Sequence, residues 1–261
     1  ELYGLSLNAQ LGTSGVAFQT EVSYRPDAPL QADDVELLFA ALAPINPVFA
    51  GNSGIPGEPG ESQLSRFQGE DYSTQFETVI PGSVPLDLWQ WQGTLTKIFG
   101  PGLGADQSVL LCEFGATIVP DLPDHDVLRF EGAGTYTSGN PYHENGANPG
   151  AAHAGKAAES AKYFADSTSW GYRLVGRLDY LNAIGAVSLS PRFGWQHDVS
   201  GVAPGPGGNF IEDRKAVTIG ITASYQNAWS ADLGYTQYFG AGRYNLINDR
   251  DFIAANVKYS F

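Results

Sequence analysis

The chain has 261 residues, a formal net charge of −14, one cysteine and no methionine. That charge argues against a nucleic-acid partner, which needs a cationic surface, and Cys112 alone has no partner for an internal disulfide. Apolar residues make up 43% of the chain, and no stretch approaches the roughly 18 consecutive apolar residues of a membrane-spanning helix.

A barrel strand escapes such averages, because it needs only about 9–11 residues with every second one apolar. The chain shows that pattern from its start. Leu5 and Leu7 oppose Ser6 and Asn8, and Val16, Phe18, Val22 and Tyr24 oppose Gln19, Glu21, Ser23 and Arg25. A helix is predicted over Gln31–Ala43. Asp33 and Asp34 suit its N-terminus, and Val35, Leu38, Phe39 and Leu42 share one face. A Pro- and Gly-rich run from Pro44 to Gly60 reads as turns.

Trp89, Trp91, Leu95 and Phe99 mark the next strand, and Leu110, Cys112, Phe114, Ala116 and Ile118 the one after. Between them, Gly100–Asp106 superficially resembles a phosphate-binding glycine loop. It lacks the lysine and joins two strands, so it reads as a turn. A second helix is predicted over Ala152–Ala165. Five consecutive alternating segments follow, around Trp170–Tyr180, Val187–Trp195, Ala216–Tyr225, Trp229–Phe239 and Asp251–Phe261. Polar and charged residues keep to one face in each.

These make about nine strands, and their connections alternate in length. Leu11–Gly15, Phe99–Asp106, Asn182–Gly185 and Gln226–Ala228 are short; Pro26–Pro85, Asp121–Ser167, Ser200–Asp213 and Gly240–Arg250 are longer. Short turns on one side and long loops on the other are the asymmetry of an outer-membrane barrel. Aromatic residues agree: Tyr180, Tyr225, Trp229 and Phe261 fall near the short-turn ends, and Trp89, Trp170, Trp195 and Phe239 near the long-loop ends. The expected fold is all-β: a single antiparallel up-and-down transmembrane β-barrel domain over residues 1–261. Residues 26–85 and 121–167 are its long extracellular loops, carrying short helices. An odd strand count and a start at Glu1 without Met imply processing or further strands upstream, which makes this the C-terminal portion of a larger barrel.

Four stretches, Tyr3–Gln31, Leu38–Pro44, Lys97–Pro123 and above all Tyr238–Phe261, resemble the C-terminal half of an uncharacterised proteobacterial outer-membrane family, a domain of unknown function. The resemblance implies a setting beside RND-type exporters and a barrel broadly like the long-chain fatty-acid channels. It carries no catalytic motif. The ending with Tyr259 and Phe261 resembles the terminal signal read by the barrel-insertion machinery. Membrane lipid, lipopolysaccharide and envelope transport proteins are the implied partners.

The expected lumen-facing set is Glu21, Arg25, Glu113, Arg173, Arg177, Asp179, Arg192, Asp232 and Lys258. Inward charges need water or an opposite partner, so this set forms either a salt-bridged network or a polar conduit. In the second reading Arg173, Arg177 and Arg192 make an anion-attracting strip. Leu38 and Phe39 offer an apolar entrance on a loop helix.

The Pro26–Pro85 loop has nine acids against Arg66 alone. They serve solvation, or divalent cations shared near lipopolysaccharide, although no EF-hand-like loop is present. His125, His143, His153 and His197 lack ligand spacing, so no metal or other cofactor is expected. The leading expectation is a channel for small hydrophobic or amphipathic molecules and not an enzyme. The alternatives are a sealed structural or partner-docking barrel, and a hydrolase built around His197.

Overall fold

The protein is described here by a computed structural model covering residues 1–45, 62–139, 156–226 and 228–261. Nine strands succeed one another: β1 (Tyr3–Gln10), β2 (Val16–Gln31), β3 (Ser83–Phe99), β4 (Gln107–Ile118), β5 (Thr168–Ile184), β6 (Val187–Ser200), β7 (Lys215–Tyr225), β8 (Trp229–Phe239) and β9 (Phe252–Tyr259). Each pairs antiparallel with its neighbours in one meandering sheet, β1 to β9 in order. Among the described residues the sheet is open, since β1 pairs with β2 and β9 with β8. Among the described residues no helix is long and apolar enough to cross a membrane.

Residues directly opposite in an antiparallel pair share a face, so the register extends one face across all nine strands. Leu5 meets Val22, Val22 meets Trp91, and Trp91 meets Ala116. Farther along, Leu174 meets Trp195, Trp195 meets Val217, and Leu233 meets Ala255. The opposite face runs through Glu21, Gln92, Gly115, Gly171 and Asp198 at one level, and through Arg192, Gly220, Gly234 and Ala254 at another. The alternation read along each strand is therefore the faces of one sheet.

Two glycines on the apolar face are required by their neighbours. A Cβ on Gly93 would lie 2.5 Å from the Phe114 ring, and one on Gly176 would lie 2.1 Å from the Phe193 ring. Each phenylalanine is the cross-strand partner of the glycine it covers.

Connections 11–15, 100–106, 185–186 and 226–228 are short, whereas 32–82, 119–167, 201–214 and 240–251 are long. The long ones build a cap with its own core. Leu64, Val119, Leu128, Phe130 and Ala165 are fully buried beside Ala28, Leu30 and Ala32 of the β2 end. A second cluster surrounds Val35, Phe39, Ala40, Ala43 and Tyr72; a third joins Ile211, Ala241 and Tyr244. Burial of large apolar side chains is thus concentrated at one end of the sheet, while Leu5, Ile253 and Val257 on the apolar face remain more than two-thirds exposed, at 76%, 74% and 71%.

The predicted first helix is present as α1 (Asp34–Leu42), and a further short helix, α2 (Gln63–Gln68), is capped by Ser62, whose side chain accepts from the Ser65 amide. The Gln31–Ala43 helix is shorter at its start because β2 continues to Gln31. The first long connection likewise narrows from 26–85 to 32–82. Pro26 and Pro29 do not stop the strand, since a bulge between Arg25 and Ala28 absorbs the irregularity with Asp27 at φ 49°. Asp87 fixes that bulge, accepting from the Asp27 amide at 3.2 Å and from the Tyr24 hydroxyl at 2.6 Å. The helix expected over Ala152–Ala165 is absent from its described part, 156–165, where only a single 3₁₀ turn forms at Ala161–Tyr163. There Ala165 and Phe164 are drawn into the cap core instead. Residues 152–155 and most of the Pro44–Gly60 turn-rich run lie outside the described residues.

Candidate functional site

All nine charged residues assigned to the inner face lie on the polar face of the sheet. The register brings several together. Glu113 and Arg173 are cross-strand partners with a 3.7 Å ion pair. Arg177 reaches Asp179 on its own strand at 3.0 Å, and Asp179 also accepts from the Ser190 hydroxyl at 2.7 Å. Arg192 crosses β7 to reach Asp232 on β8 with both terminal nitrogens, the longer contact being 2.9 Å. Thr222 donates to the same carboxylate at 2.7 Å. The guanidinium lies over Gly220, where a Cβ would come within 2.7 Å of it.

The three arginines expected to form an anion-attracting strip are therefore each matched by an acid. Glu21 accepts from the Gln92 side chain at 3.3 Å. Arg25 lies beside the β2 bulge and Lys258 on β9, neither brought into these pairs.

The polar face carries a cavity of about 360 Å³. Its floor includes Glu21, Gln92, Glu113, Gly115 and Arg173, and Asn209 and Phe210 from the 201–214 connection close it on one side. Sequence alternation does not reveal Phe210, which lies on an irregular segment. It is placed by Asp198, a buried residue on the polar face of β6. One Asp198 oxygen accepts from the Arg214 Nε at 2.7 Å and from the Ile211 amide at 3.1 Å, while Arg214 donates to the Asn209 carbonyl at 2.7 Å. The Phe210 ring then rests against Gly115, 3.3 Å from where a Cβ would stand. The result is a pocket with an aromatic wall and a floor of both charges.

The apolar face carries aromatic pairs at both ends. Tyr24 stacks on Trp89 at 4.3 Å and Trp195 lies 6.0 Å from Phe239 near the cap; Trp229 and Tyr259 are 4.7 Å apart at the opposite end. Phe261 is fully exposed just beyond β9. His197 is on the apolar face near the cap, edge-on to Tyr172 and Trp195.

Leu38 and Phe39 do not share a surface. Phe39 is 1% exposed inside the α1 cluster, whereas Leu38 is 50% exposed on the other side. His125 is held in the cap by the Ala165 carbonyl at 2.8 Å; His143 and His153 lie outside the described residues.

Two polar clusters organise the cap. Glu159 accepts from the Tyr244 hydroxyl at 2.6 Å, from Arg243, and from the Tyr136 amide at 3.2 Å. Burial opposes its ionisation, but the hydrogen bonds from Tyr244 and Arg243 outweigh that and hold its carboxyl below the usual range. Tyr244 is pushed up to about 12, by burial first and then by Glu159.

The other cluster lies where 31–33 runs beside 129–131. The Asp33 amide donates to the Arg129 carbonyl at 2.9 Å and the Glu131 amide to the Gln31 carbonyl at 3.1 Å, around an Ala32–Phe130 bridge. Glu36, buried by α1, pairs with Arg129 at 3.4 Å and accepts from the Gln63 amide. Asp33, Asp34 and Glu131 bring their carboxylates to one point, each offering an oxygen within 4.8 Å of the others. Burial, followed by the charges of Glu36, Glu131 and Asp34, pushes the Asp33 carboxyl well above its ordinary range.

A family model described as "Protein of unknown function (DUF1302)" matches residues 1–261, and the chain belongs to that family. No curated protein matches it.

Proposed function

We propose that this DUF1302 protein forms the wall of an outer-membrane β-barrel and passes small amphipathic or hydrophobic molecules along its polar face. The observation that carries the reading is the pair of opposed faces. An apolar surface continues through every strand with large side chains exposed, while most charged strand residues lie on the other side; Asp87, Lys97 and Lys215, near strand ends, are exceptions. Exposed apolar area of that extent marks contact with a membrane or a partner. Strands alternating apolar outward and polar inward, between aromatic pairs at both ends, match a bilayer.

In a nine-strand antiparallel meander β1 and β9 run parallel. Closure by antiparallel pairing therefore calls for an odd number of further strands between them, giving an even total. The long connections would face outward and the Phe261 end inward.

Within this wall the cavity beside Phe210 lies on the polar face. Its aromatic wall suits an apolar moiety and its Glu113–Arg173 floor a polar one. The cross-strand ion pairs and the cap core also fit a sealed barrel that displays loops to envelope partners, so the test must separate the two.

Purified protein in planar bilayers or liposomes should conduct ions or admit amphipathic solutes, and Phe210→Ala should raise that permeability. A barrel tight to both ions and solutes, with and without Phe210, would reject the channel and leave the docking reading.

A further inference from the structure

We infer that Asp33, Asp34 and Glu131 bind a divalent cation of the calcium type, tying the start of α1 to the β4–β5 connection. The inference does not depend on whether the sheet conducts.

Asp33 stands at the N-cap position of α1, where an aspartate ordinarily accepts from the amides of the first turn. Here its side chain makes no capping bond. Glu131 reaches across instead and accepts from the Asp34 amide at 3.0 Å. Asp33 is wholly buried, and neither of its carboxylate oxygens has a hydrogen-bond partner. It is turned away from the helix it should cap, toward two other carboxylates.

Three like charges at that spacing repel, and a buried carboxylate needs compensation. The nearest cation does not supply it in full: Arg129 is paired with Glu36 and lies over the Phe164 ring at 5.5 Å. A proton on Asp33 would remove the charge, yet it would create a hydroxyl donor without an acceptor and leave the second oxygen unsatisfied. A metal ion satisfies all three groups together. An all-oxygen donor set without His or Cys selects a hard cation, and calcium accepts irregular carboxylate arrangements more readily than magnesium, which demands a near-ideal octahedron.

The site is built on fixed backbone. The Ala32–Phe130 bridge and its flanking amide bonds set the two strands of the clamp. Asp34 is exposed, which gives the ion a path in and leaves room for water ligands.

Equilibrium dialysis of the purified, chelator-stripped chain against CaCl₂ tests the site, alongside its melting temperature with CaCl₂ or EDTA. One saturable calcium per chain is expected at this site, with a Kd of about 10⁻⁵ to 10⁻³ M, together with a melting temperature that rises with calcium and falls with EDTA. Asp33→Asn should weaken binding at least about tenfold. Asp34→Asn at the exposed position and Glu131→Gln, which keeps the acceptor for the Asp34 amide, should also weaken it. They keep the test valid if Asp33→Asn fails to fold. Asp71→Asn, elsewhere on the same acidic connection, should leave binding unchanged.

Absence of saturable calcium binding would overturn the proposal. So would binding that is indifferent to Asp34→Asn and Glu131→Gln, or stabilisation by Asp33→Asn with no response to calcium, the signature of a protonated acid.

Discussion

Arg177 and Arg192 stand directly opposite one another where β5 meets β6, and their charges diverge. Arg177 takes Asp179 on its own strand, whereas Arg192 extends over Gly220 and takes Asp232 two strands away. Like charges in direct cross-strand register are destabilising, and here each is drawn off by an acid in a different direction. Gly220 matters because any side chain at that point would occupy the path of the guanidinium.

Gly220→Leu should therefore lower the melting temperature by displacing Arg192 from Asp232, not by strain in β7. A double-mutant cycle checks this. In an Arg192→Gln background most of the loss should vanish. Equal losses in both backgrounds would show that Gly220 acts on the strand itself.

Phe130 is fully buried at the junction of the cap and the β2 end. Phe130→Ala should cost about 3–5 kcal/mol, the usual range for a buried phenylalanine, with the loss local to the cap. Hydrogen exchange should show amides in 119–139 and 156–167 losing protection while β7 to β9 keep theirs. Uniform loss throughout the sheet would mean that cap and sheet unfold as one unit.

Tyr244→Phe removes a 2.6 Å hydrogen bond to a buried carboxylate. The expected cost is about 1–3 kcal/mol, read as a lower cap melting temperature. Because Tyr244 helps hold the Glu159 carboxyl below its ordinary range, the variant should also lose its cap at a higher pH than the parent on acid titration.

In EDTA, the cap should become more stable as pH is lowered from neutrality toward the ordinary carboxylate range. Burial is the leading cause that raises the carboxyls of Asp33, Glu36 and Glu131 in the fold. A raised folded pKa means that the folded state binds more protons than the unfolded one between the two values, so stability increases as pH falls through the folded pKa. The gain is complete near the unfolded value of about 4. Glu159 has the opposite sign: its contribution is present above the unfolded value and is lost as pH falls through its depressed one. Melting curves across this range check the rise. Asp33→Asn should flatten it.

Alternation exposed much of this fold. Residues such as Trp195, Val217 and Arg192 declare their face by parity, and strand parity does not depend on what lies next to the strand. The segment after Arg25 was less legible, because Pro26 and Pro29 resemble a loop whereas the Asp27 bulge lets pairing resume. The helix expected at Ala152–Ala165 does not form in its described part. In the part described, Phe164 and Ala165 are buried in the cap, and tertiary burial overrides local propensity. The charged face was readable residue by residue, but not its pairing: Arg192 finds Asp232 across a strand, at a distance that no sequence spacing encodes. Phe210 and the Asp33–Glu131 clamp were hidden for a related reason. They depend on irregular segments that have no period.

The rings over Gly93 and Gly176 act on something that polarity cannot control. A one-residue slip between two strands turns their faces over and is forbidden by the alternation. A two-residue slip preserves every face and would pass that check. On β3 and β4 such a slip would press Phe114 onto Trp91 or Leu95 in place of Gly93; on β5 and β6 it would press Phe193 onto Leu174 or Leu178 in place of Gly176. Each of these hairpins, both closed by a short connection, thus holds a notch and a tooth that engage at one alignment. Two pairs of strands can find their stagger early and serve as gauges against which the remaining strands are laid.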